Sequence, residues 1–285
     1  MQQLGLEGMP SRLFPCTPSR LTTWLDCPRR YRMTYLDRPA PARGPAFAHT
    51  TMGAVVHLAL ARFWDLPVRR RTPWAARALV GPAWQSDGFA DDAQSARWRE
   101  LAGDMVERYV AGMDPTADPA GVERTVGFPS ATLAVSGRVD RVDRRGEEVV
   151  VVDYKTGRTP CSPDDARGSL ALALYALACR RTFRTACATV ELHHVPTASV
   201  AAFTHTPASL ARHLSRAESL AAEVVAATTA LAAGGDREAL FPPRPSPVCG
   251  WCDVVRHCPQ GLSAAGGPQR TWAGLAEERS AAEED

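Results

Sequence analysis

Lysine is almost absent from this sequence: of its 33 basic residues all but one are arginine, and the single lysine is Lys155. A Walker-type phosphate loop needs its lysine in a glycine-rich turn between a strand and a helix. Here Val151, Val152, Asp153 and Tyr154 precede the lysine, so no ATP site of that type is expected. No apolar run reaches the roughly 18 residues that a membrane-spanning helix requires. The polar stretch 1–12 also lacks the hydrophobic segment of a secretion signal. These absences predict a soluble, cytoplasmic protein with no membrane contact. An excess of charge is missing too, since 33 basic residues face 31 acidic ones and leave a net +2. Without a bulk polycation to hold nucleic acid indiscriminately, any such contact must use a local groove.

What the chain does contain is 285 residues, 45% of them apolar, enough to bury one large core or two modest ones. Its eight cysteines, without a secretion signal, point to reduced thiols, some of them metal-binding, and away from a disulfide scaffold. Thr17-Pro18-Ser19 offers a helix start, and a second short helix is expected over residues 29–35. Across 49–64, Met52, Val55, Val56, Ala59, Leu60 and Phe63 fall on one helical face. Further helices are predicted over 74–85 and 93–113. Beyond Val122 the pattern changes: 132–142 alternates as a strand, 147–154 is a β-branched run, and Arg144-Arg145-Gly146 joins them as a hairpin. A helix over 164–179, strands near 188–195 and 200–204, and an alanine-rich helix over 207–233 complete an α/β chain with helical decoration.

The chemistry concentrates where the lysine is. In Val149-Val150-Val151-Val152-Asp153-Tyr154-Lys155 alternate side chains share a face, so Asp153 and Lys155 project together with Tyr154 opposite. The preceding strand contains Gly137-Arg138-Val139-Asp140, and the short hairpin brings Asp140 to the same end of the sheet. Two carboxylates and an ammonium in one site suit metal-assisted phosphodiester hydrolysis. Hard oxygen ligands hold Mg²⁺ or Mn²⁺, and the lysine orients water or stabilises the charge building on phosphate. A solvated strand end with an ordinary salt bridge is the alternative that spacing leaves open.

Gly137-x-x-Asp140 followed by Asp153-Tyr154-Lys155-Thr156-Gly157 resembles the PD-(D/E)XK nuclease superfamily, in its RecB-type exonuclease branch. The resemblance implies a restriction-endonuclease-like core, a mixed central sheet flanked by helices, with helical decoration before it. It also implies a histidine ligand from an upstream helix, and Gly53-Ala54-Val55-Val56-His57 matches that Gly-x-x-x-His. Asp140, Asp153 and Lys155 would then be catalytic, with His57, Asp140 and Asp153 holding Mg²⁺ or Mn²⁺ and Glu123 a weaker acidic candidate. Where the branch commonly has Gln-x-x-x-Tyr to place DNA, this chain reads Ala171-Leu172-Ala173-Leu174-Tyr175, which keeps Tyr175 and loses the glutamine.

Cys249-Gly250-Trp251-Cys252 and Cys258-Pro259 form a C-x₂-C-x₅-C group, and Cys27-Pro28 lies far upstream. Thiolates at such spacing can wrap one metal centre. The run Ser19-Arg20-Leu21-Thr22-Thr23-Trp24-Leu25-Asp26-Cys27-Pro28 is similar to the AddB-type nuclease motif, in which one N-terminal cysteine joins a C-terminal trio on a [4Fe–4S] cluster. By that resemblance Cys27, Cys249, Cys252 and Cys258 would staple the N- and C-terminal segments together through iron–sulfur, with zinc as the alternative. Cys16, Cys161, Cys179 and Cys187 show no ligand pattern. Arg29, Arg30 and Tyr31 are candidates to touch the DNA backbone and stack a base, and an exposed helix face explains them nearly as well. His193 and His194 point opposite ways on their strand and do not easily line one site.

These resemblances imply one nuclease domain over 17–260, divided into a helical part (17–115), an α/β catalytic core (120–235) and a cysteine-rich segment (240–260). A flexible N-terminus (1–16) and a mobile tail (261–285) would flank it. The implied activity is metal-dependent hydrolysis of single-stranded or end-containing duplex DNA in recombination and repair, with a possible helicase partner in trans. Rival readings are a DNA-binding scaffold with weak catalysis, hinted at by Ala171, and a CRISPR-associated nuclease with a similar cysteine layout.

Overall fold

The computed structural model describes residues 13–266 and 270–275. Capping chemistry sets its first helices. Thr17 Oγ1 accepts from the Arg20 amide at the start of α1 (Pro18–Asp26), and the Cys27 sulfur accepts from the Arg30 amide at the start of α2 (Pro28–Tyr35). Both helices open on proline, whose missing N–H costs nothing in the first turn. The next helix, α3 (Ala48–Asp65), buries Met52, Val55, Val56, Ala59, Leu60 and Phe63 as its periodicity predicts. The single helix expected over 74–85 is instead two, α4 (Pro73–Ala78) and α5 (Val80–Ala83). Pro82 has no amide to return to the Ala78 carbonyl, so a continuous ladder is impossible there. The long α6 (Asp92–Ala111) then closes the helical third.

Among the described residues six strands follow a mixed pattern: β1 (Phe14–Cys16), β2 (Gly121–Pro129), β3 (Leu133–Arg145), β4 (Glu148–Lys155), β5 (Thr189–His194) and β6 (Ser199–Thr204). The sheet runs β1-β3-β4-β5-β6, with β2 on the other edge of β3. Pairing is antiparallel for β2–β3, β3–β4 and β5–β6, and parallel for β1–β3 and β4–β5. The helix predicted over 164–179 divides into α7 (Pro163–Gly168) and α8 (Leu170–Phe183), because Ser169 is extended and caps the second with its hydroxyl. After β6 come α9 (Pro207–Ala232), α10 (Arg237–Leu240) and α11 (Pro259–Ala264).

Helices cover both faces of the sheet. Val150, Val152 and Tyr154 of β4 pack into the core formed with α3 and α6, while Val149 and Val151 pack towards α8. A third apolar cluster joins β1, α1, α8 and α9 around Leu21, Tyr31, Leu174 and Phe241. The long β3 shares one edge between two partners: β1 takes Leu133–Val135 and β4 takes Arg141–Arg145. Between them that edge is left open, and Gly137 and Asp140 lie in the opening.

The expected flexible stretches 1–16 and 261–285 fall largely outside the described residues. Where they are described they are structured: Phe14–Cys16 pairs with β3, Pro259–Ala264 is helical, and Leu275 is buried in the α3/α6 core. Among the described residues no helix is long and apolar enough to cross a membrane.

Candidate metal site and cysteine cavity

Face alternation slips at Asp140, and this slip makes the site. Val139 and Val142 pack on the α8 side although three residues apart, while Arg141 between them points the other way, to the Tyr154 hydroxyl at 2.9 Å. Across the ladder the register runs Val122↔Arg141 and Arg124↔Val139, which places Glu123 opposite Asp140. Glu123 has φ of 48°, in the left-handed region that costs a residue with a Cβ roughly 1–2 kcal/mol. On the other edge the β3–β4 ladder ends at Arg141↔Val152, one rung short of Asp140 and Asp153. The Asp140 carboxylate takes over there, its Oδ2 accepting from the Tyr154 amide at 2.8 Å.

His57 arrives from α3. Its Nδ1 lies 3.4 Å from Asp140 Oδ2, and its ring stands edge-on to Tyr154. His57, Glu123 and Asp140 offer ligand atoms that all fall within 4.8 Å of one another, an arrangement of two hard oxygens and an imidazole that fits Mg²⁺ or Mn²⁺. Of the expected ligands, Asp153 is not in this grouping. Its Oδ2 lies 2.5 Å from Lys155 Nζ, so the Asp153–Lys155 pair projects as the strand period demands and is closed on itself. A cleft of about 570 Å³ opens over His57, Glu123 and Asp140, lined also by Thr50, Arg138 and Thr156.

Crowded carboxylates leave an electrostatic mark. Burial pushes the Asp153 carboxyl above its ordinary range and Asp140 adds to the rise, against the pull of Lys155. Glu123 is likewise raised, by burial first and by Asp140, despite its ion pair with Arg138 at 2.8 Å. For His57, burial works against the charged form, yet the surrounding Asp140, Asp153 and Glu123 carboxylates lift it above the usual imidazole value. Lys155 follows the same logic: desolvation is outweighed by Asp153, and the ammonium is retained. Burial, then the Asp153 and Asp140 charges, push the Tyr175 phenol up to about 12, which places Tyr175 beside both aspartates as an uncharged donor.

Two glycines make these approaches possible. A Cβ at Gly137 would stand 2.6 Å from Tyr175 Cε1, and one at Gly53 would stand 2.9 Å from Thr156 Oγ1. The glycines of both motifs are therefore contact points, one seating α8 on β3 and the other seating α3 on the turn after Lys155. That turn is held from behind by His194, whose Nε2 donates to the Gly157 carbonyl at 2.7 Å. Sequence reasoning missed this role. His193 is structural as well, bridging Tyr109 at 2.6 Å and Glu191 at 2.8 Å in the interior.

Cys27, Cys249, Cys252 and Cys258 converge from the α1–α2 junction and the segment after α10 onto one cavity of about 380 Å³. Backbone amides of Arg30 and Gly261 donate to the sulfurs of Cys27 and Cys258 at 3.5 and 3.3 Å. Arg29 and Tyr31, expected at the DNA surface, are not there. Arg29 is 6% exposed and binds Glu238, Gln260 and the Cys258 sulfur; Tyr31 is 1% exposed and packs on Trp24. An acidic partner 209 positions away converts what reads locally as a basic face into an internal tie. Arg30 is half-exposed, pairs with Asp253 at 3.5 Å and lines the cysteine cavity.

A mixed sheet with helices on both faces, whose splayed hairpin presents two aspartates and a lysine beside a helix-borne histidine, is the architecture of a nuclease core. The family model described as the PD-(D/E)XK nuclease superfamily matches residues 15–259, and the chain belongs to that superfamily. A stretch of 79 residues, 28% of this chain, is 38% identical to a mycothiol acetyltransferase of Kineococcus radiotolerans. The chain spans only 24% of that curated relative, and so short an overlap carries no argument about this site.

Proposed function

We propose that the protein is a RecB-type, divalent-metal-dependent deoxyribonuclease. The observation that carries this reading is the convergence of His57, Glu123 and Asp140 on one cleft, with Asp153, paired to the chain's single lysine, close enough to Asp140 to feel its charge. Carboxylates pressed together in a partly buried site are costly without a cation, and Mg²⁺ or Mn²⁺ there would polarise the phosphate and activate water. His57, Glu123 and Asp140 would hold the ion, with Asp153 available to join them. Lys155 would orient the attacking water or stabilise the developing charge, and Tyr175 would donate to the strand. DNA end processing in recombination and repair, with a helicase partner in trans, is the process this chemistry serves. The test is cleavage of labelled single- and double-stranded DNA, with free and blocked ends, with and without Mn²⁺. Metal-dependent cleavage that Asp153→Ala abolishes in a folded protein is expected, and a fully active variant would refute the assignment.

The cysteine cavity completes the proposal as a [4Fe–4S] site held by Cys27, Cys249, Cys252 and Cys258. The observation that supports a shared centre is that all four cysteines line one cavity. When bound, the cluster would supply cross-linking, joining segments more than 200 residues apart around the nuclease core.

A further inference from the structure

His49 stands where three cavities meet. It lies in the first turn of α3, and its side chain lines the metal cleft, the cysteine cavity and a third cavity floored by Met52, Trp98 and Leu275. His49, Gly53 and His57 recur every fourth residue and so share one face of the helix, with His49 about 12 Å from His57 along the axis.

Packing fixes the ring from three sides. Phe47 lies 5.7 Å away, Trp251 stands perpendicular at 5.0 Å, and the backbone of Gly274 is so close that a Cβ there would overlap Nδ1. Nδ1 is thereby buried with no hydrogen-bond partner among the described residues. An orphaned lone pair is tolerated in an interior better than an orphaned N–H, so the hydrogen belongs on Nε2 of a residue that lines the metal cleft. Burial also holds this imidazole below its ordinary pKa, which makes it a neutral donor near pH 7. Among the described residues no side chain caps the N-terminus of α3, and the partial positive charge of that end favours an anion beside the ring.

We propose that His49 is a substrate-binding residue whose Nε2–H donates to a phosphate oxygen of the DNA strand lying along α3, away from the phosphate under attack at His57. The inference rests on the nuclease reading and adds to it a contact outside the metal ligands. Trp251, between Cys249 and Cys252, forms one wall of the bracket, so the cysteine loop helps hold a residue of the DNA cleft in place.

Three proteins decide the matter: wild type, His49→Phe, which keeps the ring packing and deletes the donor, and His49→Gln, which restores one. Binding of a labelled single-stranded oligonucleotide is measured with Ca²⁺ replacing Mg²⁺, and cleavage is followed with Mn²⁺. His49→Phe should bind about five- to tenfold more weakly, the worth of one neutral hydrogen bond, with KM raised in proportion and kcat retained. His49→Gln should recover most of the affinity. The slope of log Kd against log salt should stay at the wild-type value, because a neutral donor releases no counterion. If the phenyl ring lowers the melting midpoint, His49→Leu makes the same deletion with less bulk. Wild-type affinity and KM in a folded donorless variant overturn the inference alone, as does a fall in kcat with KM unchanged. A wild-type protein that neither binds nor cleaves DNA overturns it together with the nuclease reading.

Discussion

Gly137→Ala tests the seat of Tyr175 without any assumption about activity. The added Cβ would meet Tyr175 Cε1 at 2.6 Å, the hydroxyl at 3.1 Å and Cζ at 3.3 Å, against about 3.5–4.0 Å for a relaxed carbon contact. The ring has little room to yield, because α8 is anchored by buried Leu172, Ala173, Leu174 and Ala176. Overpacking of this kind costs about 1–3 kcal/mol. Reduced freedom of the unfolded chain returns about 0.4–1 kcal/mol, leaving a net loss of about 1–2 kcal/mol. In a chain of this size that is a fall in melting midpoint of about 2–8 °C. Urea unfolding of wild type, Gly137→Ala, Tyr175→Ala and the double variant isolates the contact. With the ring removed, alanine at 137 should be neutral or stabilising, giving a coupling energy of at least about 1 kcal/mol. Tyr175→Phe should leave the clash intact, since Cε1 remains. Equal destabilisation by Gly137→Ala with and without the Tyr175 ring would refute the reasoning, and so would no destabilisation at all.

Glu191 should govern part of the acid limb of stability. Although burial opposes its charge, His193 and Arg145 hold its carboxyl at about 2, against 4.5 in the unfolded chain. Its contribution, about 3 kcal/mol, is therefore complete above pH 4.5 and is lost as pH falls towards about 2. Denaturation midpoints measured across that window should fall less steeply for Glu191→Gln, and an unchanged slope would remove Glu191 from the account. Glu123→Gly should relieve the left-handed backbone and raise the melting midpoint by an amount equivalent to about 1 kcal/mol, while calorimetry shows weaker Mn²⁺ binding. A less stable variant would show that φ of 48° is not strained here. Anaerobically purified protein should carry iron and sulfide in equal amounts, and Cys27→Ser should lose both and become protease-sensitive at its ends; stoichiometric zinc in wild type would count against the cluster.

The buried polar chain behind the sheet gives a reason for the rigidity of the site. Arg141 donates to Tyr154, and its bidentate pairing with Asp143 at 2.7 and 2.9 Å fixes the guanidinium at 4% exposure. Arg141 follows Asp140, and Tyr154 lies between Asp153 and Lys155, so one satisfied network under the sheet holds the backbone from which the carboxylates project. Removing one partner would strand a buried charge, a larger loss than the net worth of the pair.

Local periodicity was enough to read several features from the sequence. A strand repeats every two residues, so Asp153-x-Lys155 already meant a shared face, and the apolar spacing of α3 already put His57 beside a buried helix. The spacing of Cys249, Cys252 and Cys258 grouped three cysteines, the family resemblance alone added Cys27, and all four line one cavity. The tertiary structure alone decided what depends on partners far along the chain. Glu123 is only a weak candidate by resemblance until the β2–β3 register sets it opposite Asp140. Arg29 and Tyr31 read as a surface until Glu238 and Trp24 enclose them. The breaks at Pro82 and Ser169 were visible residue by residue, but apolar periodicity through them masked the loss of hydrogen bonds. Sequence pattern encodes which face of an element is apolar; which residue then fills the space across from that face is set by pairing and packing between distant segments.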